Sequence, residues 1–206
     1  MKLGVVMDPI ESINFKKDST LAMMLEAQAR EHQLFYITPD SLYLNETGAH
    51  ALANTITVKN DPKGWFEYNE KKQIRLSELD VILMRQDPPF NSNFIYNTYV
   101  LESAEREGVL IINKPASLRD CNEKVFATEF PECCTPFLVS SEASLLKSFI
   151  EDHKDTVIKP LDGMGGSSIY RLRNTDPNLN VILETITDSF MTKVMIQTYI
   201  PEITDG

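Results

Sequence analysis

The sequence predicts an α/β protein in two parts. Residues 1–119 read as an open, mostly parallel sheet domain, and residues 120–206 as an α+β domain with antiparallel strands around a glycine-rich loop. Three observations predict this. Short apolar runs alternate with amphipathic stretches through the first half. That rhythm breaks at Asn113-Lys114-Pro115. A strand, a glycine-dense turn and a second strand then follow between Thr156 and Leu172. Alternating strand and helix means parallel strands joined by crossover helices, with helices on both faces of the sheet.

In the first half, residues 3–7 are an apolar run ended by Asp8-Pro9, as expected of a buried parallel strand. Asp18 or Ser19 caps a helix over residues 20–31, which places Leu21, Met24, Leu25 and Ala29 on one face. Residues 34–37 read as the next strand. Residues 50–58 and 64–68 read as an antiparallel ribbon with polar flanks. Residues 81–84 form another buried strand, followed by the loop Arg85-Gln86-Asp87-Pro88-Pro89-Phe90. A helix over residues 93–107 ends at Gly108 in the C′ position, and residues 109–112 are a strand.

The second half reads differently. Residues 122–130 suggest a short helix with Lys124 near its start, and residues 136–139 a strand. Ser140 or Ser141 caps a helix whose Leu145, Leu146, Phe149 and Ile150 face inward. The stretch 156–158 delivers Lys159 to the glycine turn, and 168–172 lead the chain back. Asp176-Pro177 opens a helix with Leu179, Ile182, Leu183 and Ile186 at helical spacing. Residues 194–200 are a last strand, closed by Pro201, with a domain boundary expected between 113 and 120. Thr204-Asp205-Gly206 follow that strand with no later helix to cover it. Such sheets are covered on both faces, so the chain is expected to be a fragment.

Composition sets limits. The 206 residues carry a net charge of −10, with 42% hydrophobic and 24% charged residues, as in an ordinary soluble protein. That charge argues against nucleic acid or an anionic membrane as partner, since both select a basic face. The apolar N-terminal run stops at Met7, too short for a signal peptide, and no run approaches transmembrane length. The three cysteines, Cys121, Cys133 and Cys134, lack metal-type spacing. They read as reduced thiols of a cytoplasmic protein that serve packing. His32, His50 and His153 stand apart, so neither a histidine triad nor a zinc site is expected.

The glycine turn carries the chemistry. Gly163, Gly165 and Gly166 allow positive φ and close backbone approach to a ligand. Inward-facing amide N–H groups in such a turn cradle anions, and Pro160 keeps Lys159 extended beside it. The combination suits a triphosphate. No Gly-Lys-Ser/Thr closes the turn as in a Walker A loop, and the glycine spacing does not fit a dinucleotide fingerprint. Asp162-Gly163 with Gly165-Gly166 equally fits a hairpin with a slightly long loop. The turn alone does not choose between the two.

Other residues do choose. In order, the chain carries Met7-Asp8-Pro9-Ile10, Met84-Arg85-x-Asp87-Pro88-Pro89-Phe90, Asn113-Lys114-Pro115 and Ser117-Leu118-Arg119-Asp120-Cys121-Asn122-Glu123-Lys124. Lys159-Pro160-Leu161-Asp162-Gly163-Met164-Gly165-Gly166 and Gln197-Thr198-Tyr199-Ile200-Pro201 follow. This succession strongly resembles the ATP-grasp ligases and, among them, the prokaryotic glutathione synthetase family.

The resemblance implies an ATP-dependent carboxylate–amine ligase that joins glycine to γ-glutamylcysteine through an acyl phosphate. It also implies Mg²⁺ (or Mn²⁺) as cofactor and a homotetramer. Lys124 and Lys159 match the lysines that reach the nucleotide phosphates, with Lys159 the residue assigned to catalysis. Gly163, Met164, Gly165, Gly166 and Ser167 match the loop that closes over the phosphates. Gln197, Tyr199 and Ile200 match the segment along the adenine edge. The metal ligands of the family lie beyond Gly206, so none is expected here and the fragment alone is expected to be inactive. For the dipeptide, Asp8, Arg85 and Asp87 are candidates because they follow strands at their carboxyl ends, where open α/β sheets collect ligands. An ion pair between Arg85 and Asp87 is the alternative for those two. For the whole chain the rival readings are another ATP-grasp ligase and a nucleotide-binding module without catalysis.

Overall fold

Leu3 to Met7 are all buried, which makes Lys2–Met7 (β1) a strand covered on both faces. In the computed structural model β1 lies inside a six-stranded sheet with Gln33–Asn45 (β2), Gly48–Val58 (β3), Phe66–Arg75 (β4), Val81–Arg85 (β5) and Leu110–Ile112 (β6). The strand order is β4-β3-β2-β1-β5-β6. β1 runs parallel to β2 and β5, and β5 parallel to β6, whereas β2, β3 and β4 form an antiparallel ribbon. The structure describes residues 1–204 in two compact units, Met1–Asp120 and Cys121–Gly206. Asp205 and Gly206, the end of the expected second domain, lie outside the described residues.

Two helices cover this sheet. Ser19–Ala29 (α1) begins at Asp18, whose side chain accepts from the N–H of Leu21. Ser92–Arg106 (α2) is capped likewise by Asn91. Alternation along β1 sorts the core. Leu3, Val5 and Met7 pack with Leu21 and Met24 of α1, whereas Val6 joins Leu101 and Ala104 of α2. Fully burying a side chain such as Leu101 contributes about 1.5–3 kcal/mol. Gly108 follows α2 at φ 101°, the left-handed C′ geometry that glycine adopts most readily.

Several elements differ from expectation. Strand β2 does not stop at Ile37 but continues to Asn45, because a shift of register between Ile37 and Leu42 absorbs Pro39-Asp40-Ser41. The ribbon is therefore three long strands. On α1 the buried alanine is Ala27, and Ala29 faces solvent. A short helix, Pro115–Asp120 (α3), precedes the second unit.

In that unit Phe137–Ser140 (β7), Thr156–Pro160 (β8), Tyr170–Leu172 (β9) and Val194–Thr198 (β10) form an antiparallel sheet in the order β7-β10-β8-β9. Ala143–His153 (α4) and Leu179–Ile186 (α5) cover one face of it. Leu146, Ile150 and Leu183 pack there on Ile158, Leu172, Val194 and Ile196. The cap of α4 is Glu142 rather than a serine, and Leu145, expected to face inward, is exposed. The expected helix over 122–130 does not form. The Asn122 side chain takes up the N–H groups of Lys124 and Val125, competing with helix, and two 3-10 turns follow at Phe126–Glu129 and Pro131–Cys133. The cysteines do not pack in a core either. Cys121 and Cys133 are exposed and Cys134 is half-buried. Among the described residues no helix is long and apolar enough to cross a membrane.

Candidate functional site

The second sheet has one face to spare. Alternation sends Ile158, Val194 and Ile196 into the helix-covered core and turns Lys159, Met195 and Gln197 the other way. Pairing of Lys159 with Met195 and of Gln197 with Phe137 places these side chains side by side. They wall a cavity of about 400 Å³, within the size range of small-molecule sites. Lys124 reaches the same cavity from the Asn122 turn, and Ile200 borders it beyond β10.

Lys124 is held firmly. Its side chain is only 9% exposed, and Nζ donates to the carbonyl of Gly163 at 2.6 Å and to Glu123 at 2.7 Å. Asn122 donates in turn to the carbonyl of Leu161 at 2.9 Å. The turn that carries Lys124 is thus tied at two points to the start of the glycine loop. Burial pushes the Lys159 ammonium below its ordinary pKa, and the charge of Lys124 pushes it further, with Glu123 and Cys134 opposing. Two crowded cations facing a cavity favour an anionic occupant.

The glycines serve conformation. Gly165 and Gly166 sit at φ 64° and 78° with open space around them, so backbone geometry rather than crowding selects glycine. At Gly163 a Cβ would approach Pro160 to 3.0 Å. Residues Gly163 to Ser167 do not line the cavity. Their link to it is the Gly163 carbonyl bound by Lys124. Tyr199 is also absent from the lining, and its ring lies beneath the guanidinium of Arg171. Lys124, Lys159, Gln197 and Ile200 therefore share one cavity, whereas Met164, Gly165, Gly166, Ser167 and Tyr199 stand outside its wall. Phe137, Met195, Cys133 and Cys134 line it without having been expected. Alternation from Gln197 would have found Met195; Phe137 depends on the pairing of β7 with β10, and the two cysteines on the irregular turn that precedes β7.

In the first unit, Asp8, Arg85 and Asp87 border a smaller cavity of about 150 Å³ with Ser19 and Thr20. Arg85 donates to the Thr20 hydroxyl at 3.0 Å and to the Ser19 hydroxyl at 2.9 Å rather than pairing with Asp87. Asp8 accepts the N–H of Asp87 at 2.7 Å. Burial raises the pKa of the Asp87 carboxyl, and the charges of Asp8 and Asp18 add to it, against Arg85. Among the described residues no cluster of three or more histidine, cysteine or acidic side chains is placed to hold a metal ion.

An antiparallel sheet with paired lysines and a glycine loop beside a cavity, following a parallel-sheet unit, is the fold of the ATP-grasp ligases. D-cycloserine synthetase DcsG superposes with a TM-score of 0.61 at 12% identity, over 98% of this chain and 60% of that one. The RimK domain protein ATP-grasp from Sphaerobacter thermophilus gives 0.58 at 14%, over 96% and 64%. D-alanyl-alanine synthetase A from Vibrio cholerae gives 0.56 at 11%, over 97% and 60%. Such low identities show the fold alone.

Sequence goes further. Residues 1–119 match the N-terminal domain model of prokaryotic glutathione synthetase, and residues 123–206 its ATP-grasp domain. The chain belongs to the prokaryotic glutathione synthetase family. It is 55% identical over 206 residues to the glutathione synthetase of Pseudomonas putida, 54% to that of Pseudomonas aeruginosa and 51% to that of Vibrio parahaemolyticus. Each match covers 100% of this chain and 65% of the relative.

Proposed function

We propose that the intact protein ligates glycine to γ-glutamylcysteine at the expense of ATP, giving glutathione, ADP and phosphate. The observation that carries this reading is the convergence of Lys124 and Lys159 on one cavity. In the proposed reaction the cysteinyl carboxylate takes the γ-phosphoryl group, and ADP leaves. The glycine amine then attacks the acyl phosphate, forming the amide and releasing phosphate. Lys124 and Lys159 hold the polyphosphate and offset its charge, a task of positioning and electrostatics that needs no side-chain nucleophile. Gly165 and Gly166 let the loop close over the phosphates and keep water from the acyl phosphate. The backbone of residues 197–200 meets the adenine edge, and Asp8, Arg85 and Asp87 receive the dipeptide.

Mg²⁺ accompanies ATP in enzymes of this kind. The described residues offer it no ligand cluster. Family membership also supports a cytoplasmic homotetramer, which sedimentation and fractionation would test.

Coupled measurement of ADP release tests the reaction. Release that needs both γ-glutamylcysteine and glycine supports it. Release with D-alanine alone would instead indicate a different ligase. ATP binding with no turnover of any carboxylate–amine pair by the intact protein would leave a nucleotide-binding module.

A further inference from the structure

Two thiols stand on the wall of the nucleotide cavity, and the ligase reading uses neither. Cys133 ends the turn Pro131–Cys133 and Cys134 follows it, and both line the cavity together with Lys124 and Lys159. Neither is in a disulfide, and Cys133 is exposed to solvent. The Cys134 thiol donates to the carbonyl of Ala127 at 3.2 Å, which fixes its place on the wall. Cys121 is exposed as well but lies outside the lining. The chain therefore carries its own control.

We propose that Cys133 and Cys134 form a thiol-modification site at which a small, carboxylate-bearing disulfide blocks nucleotide entry. The proposal rests on the cavity being the ATP site. Solvent reaches the thiols, and the ammonium groups of Lys124 and Lys159 draw anionic reagents into the same space. A cysteine thiolate attacks one sulfur of the disulfide, the new S–S bond forms as the old one breaks, and the departing thiolate takes up the proton that the cysteine lost. The cysteine is thereby oxidised to a mixed disulfide and the reagent is reduced to one free thiol. A peptide-sized adduct on either thiol would compete with a nucleotide for a cavity of about 400 Å³. Glutathione disulfide is such a reagent and derives from the product proposed above, so the site would report an oxidised pool directly on synthesis.

The test begins with calorimetric ATP titration of the reduced protein. Glutathione disulfide is then added, the adducts are located by peptide mass, and the titration is repeated before and after dithiothreitol. The expected result is an adduct on Cys133 or Cys134, a loss of ATP affinity of at least about tenfold, and recovery on reduction. Bound ATP should slow modification at these cysteines and leave Cys121 unprotected. In Cys133→Ser/Cys134→Ser, affinities with and without the disulfide should coincide, whatever their absolute value. An adduct confined to Cys121, or one on Cys133 or Cys134 with ATP affinity retained, overturns the proposal while leaving the nucleotide site standing. Failure of the reduced protein to bind ATP removes the nucleotide site and this proposal together.

Discussion

The guanidinium of Arg171 lies over the ring of Tyr199, 3.6 Å from its centroid, and forks onto Asp155 with two bonds of 2.7 Å. The backbone carbonyl of Asp155 accepts the N–H of Tyr199 at 3.0 Å. The circuit joins the turn before β8, strand β9 and the exit of β10. It fixes the backbone just after Gln197, where the adenine edge is proposed to rest. Tyr199 thus belongs to the frame of the cavity rather than to its wall.

Arg171→Ala should therefore weaken ATP binding several-fold and narrow the preference for ATP over GTP. Arg173 also pairs with Asp155, at 2.9 Å, but makes no contact with the ring. Arg173→Ala should change nucleotide affinity little. Arg171→Lys keeps the charge and loses the fork, so an intermediate value is expected. Calorimetric titration with both nucleotides distinguishes these outcomes. Equal losses in the Arg171 and Arg173 variants would show that the ring contact is irrelevant.

The same cluster makes stability depend on pH. Hydrogen bonds from Arg171, and then from Arg173, hold the Asp155 carboxyl well below the usual carboxylate range. A depressed folded-state pKa contributes stability that is present above the unfolded value of about 4 and is lost as pH falls below it. The side chain of Asp155 is 32% exposed, so salt should weaken the effect. Melting temperatures of the protein and of Asp155→Asn, measured between about pH 6 and pH 3, should converge as pH falls. A constant difference across that range would contradict the assignment.

Each cavity lysine should matter to ATP and do so differently. Lys159→Met and Lys124→Met should each cost about 1.5–3 kcal/mol of binding, roughly ten- to a hundredfold in affinity. Lys124→Met also releases the Gly163 carbonyl, so the loop should exchange its amide hydrogens faster. ATP favours the charged form of Lys159, whose pKa is lowered by burial and by Lys124. Affinity should accordingly fall as pH rises, beginning below the ordinary lysine value of about 10.4. Lys159→Met should lack that fall, and Lys124→Met should move it to higher pH. A pH profile unaltered in both variants would exclude this coupling.

Much of the fold could be read from local pattern. The unbroken apolar runs of β1 and β5 marked strands covered on both faces, and Gly108 marked the end of α2. What escaped depended on side chains acting over distance. The strand read over residues 34–37 in fact runs on to Asn45, because a bulge paired across β2 and β3 has no local signature. Residues 122–130 read as a helix, yet the side-chain Oδ1 of Asn122 accepts two backbone N–H groups and turns the chain instead. The same limit applies to the cavity. Lys159 could be singled out beside its glycine turn, whereas Phe137 reaches the wall through the pairing of β7 with β10, and Cys133 and Cys134 through the turn at Pro131–Cys133 and the Cys134–Ala127 hydrogen bond.

Arg85 offers a test in the first unit that is independent of the nucleotide. Its guanidinium holds the hydroxyls of Ser19 and Thr20 at the start of α1, and its charge opposes the rise in pKa of the crowded Asp87 carboxyl. Arg85→Ala removes both a fork suited to a carboxylate and a charge that favours the ionised form of Asp87. The KM for γ-glutamylcysteine should rise about tenfold or more, with KM for ATP nearly unchanged. Arg85→Lys restores charge without the fork and should recover only part of the loss. With the cation gone, the pKa of Asp87 rises further, so the activity of Arg85→Ala should decline at a higher pH on the acid side than that of the parent. Steady-state kinetics against pH for the intact enzyme provide the check. An unchanged KM for the dipeptide would remove Arg85 from the substrate site and leave it a surface tie between β5 and α1.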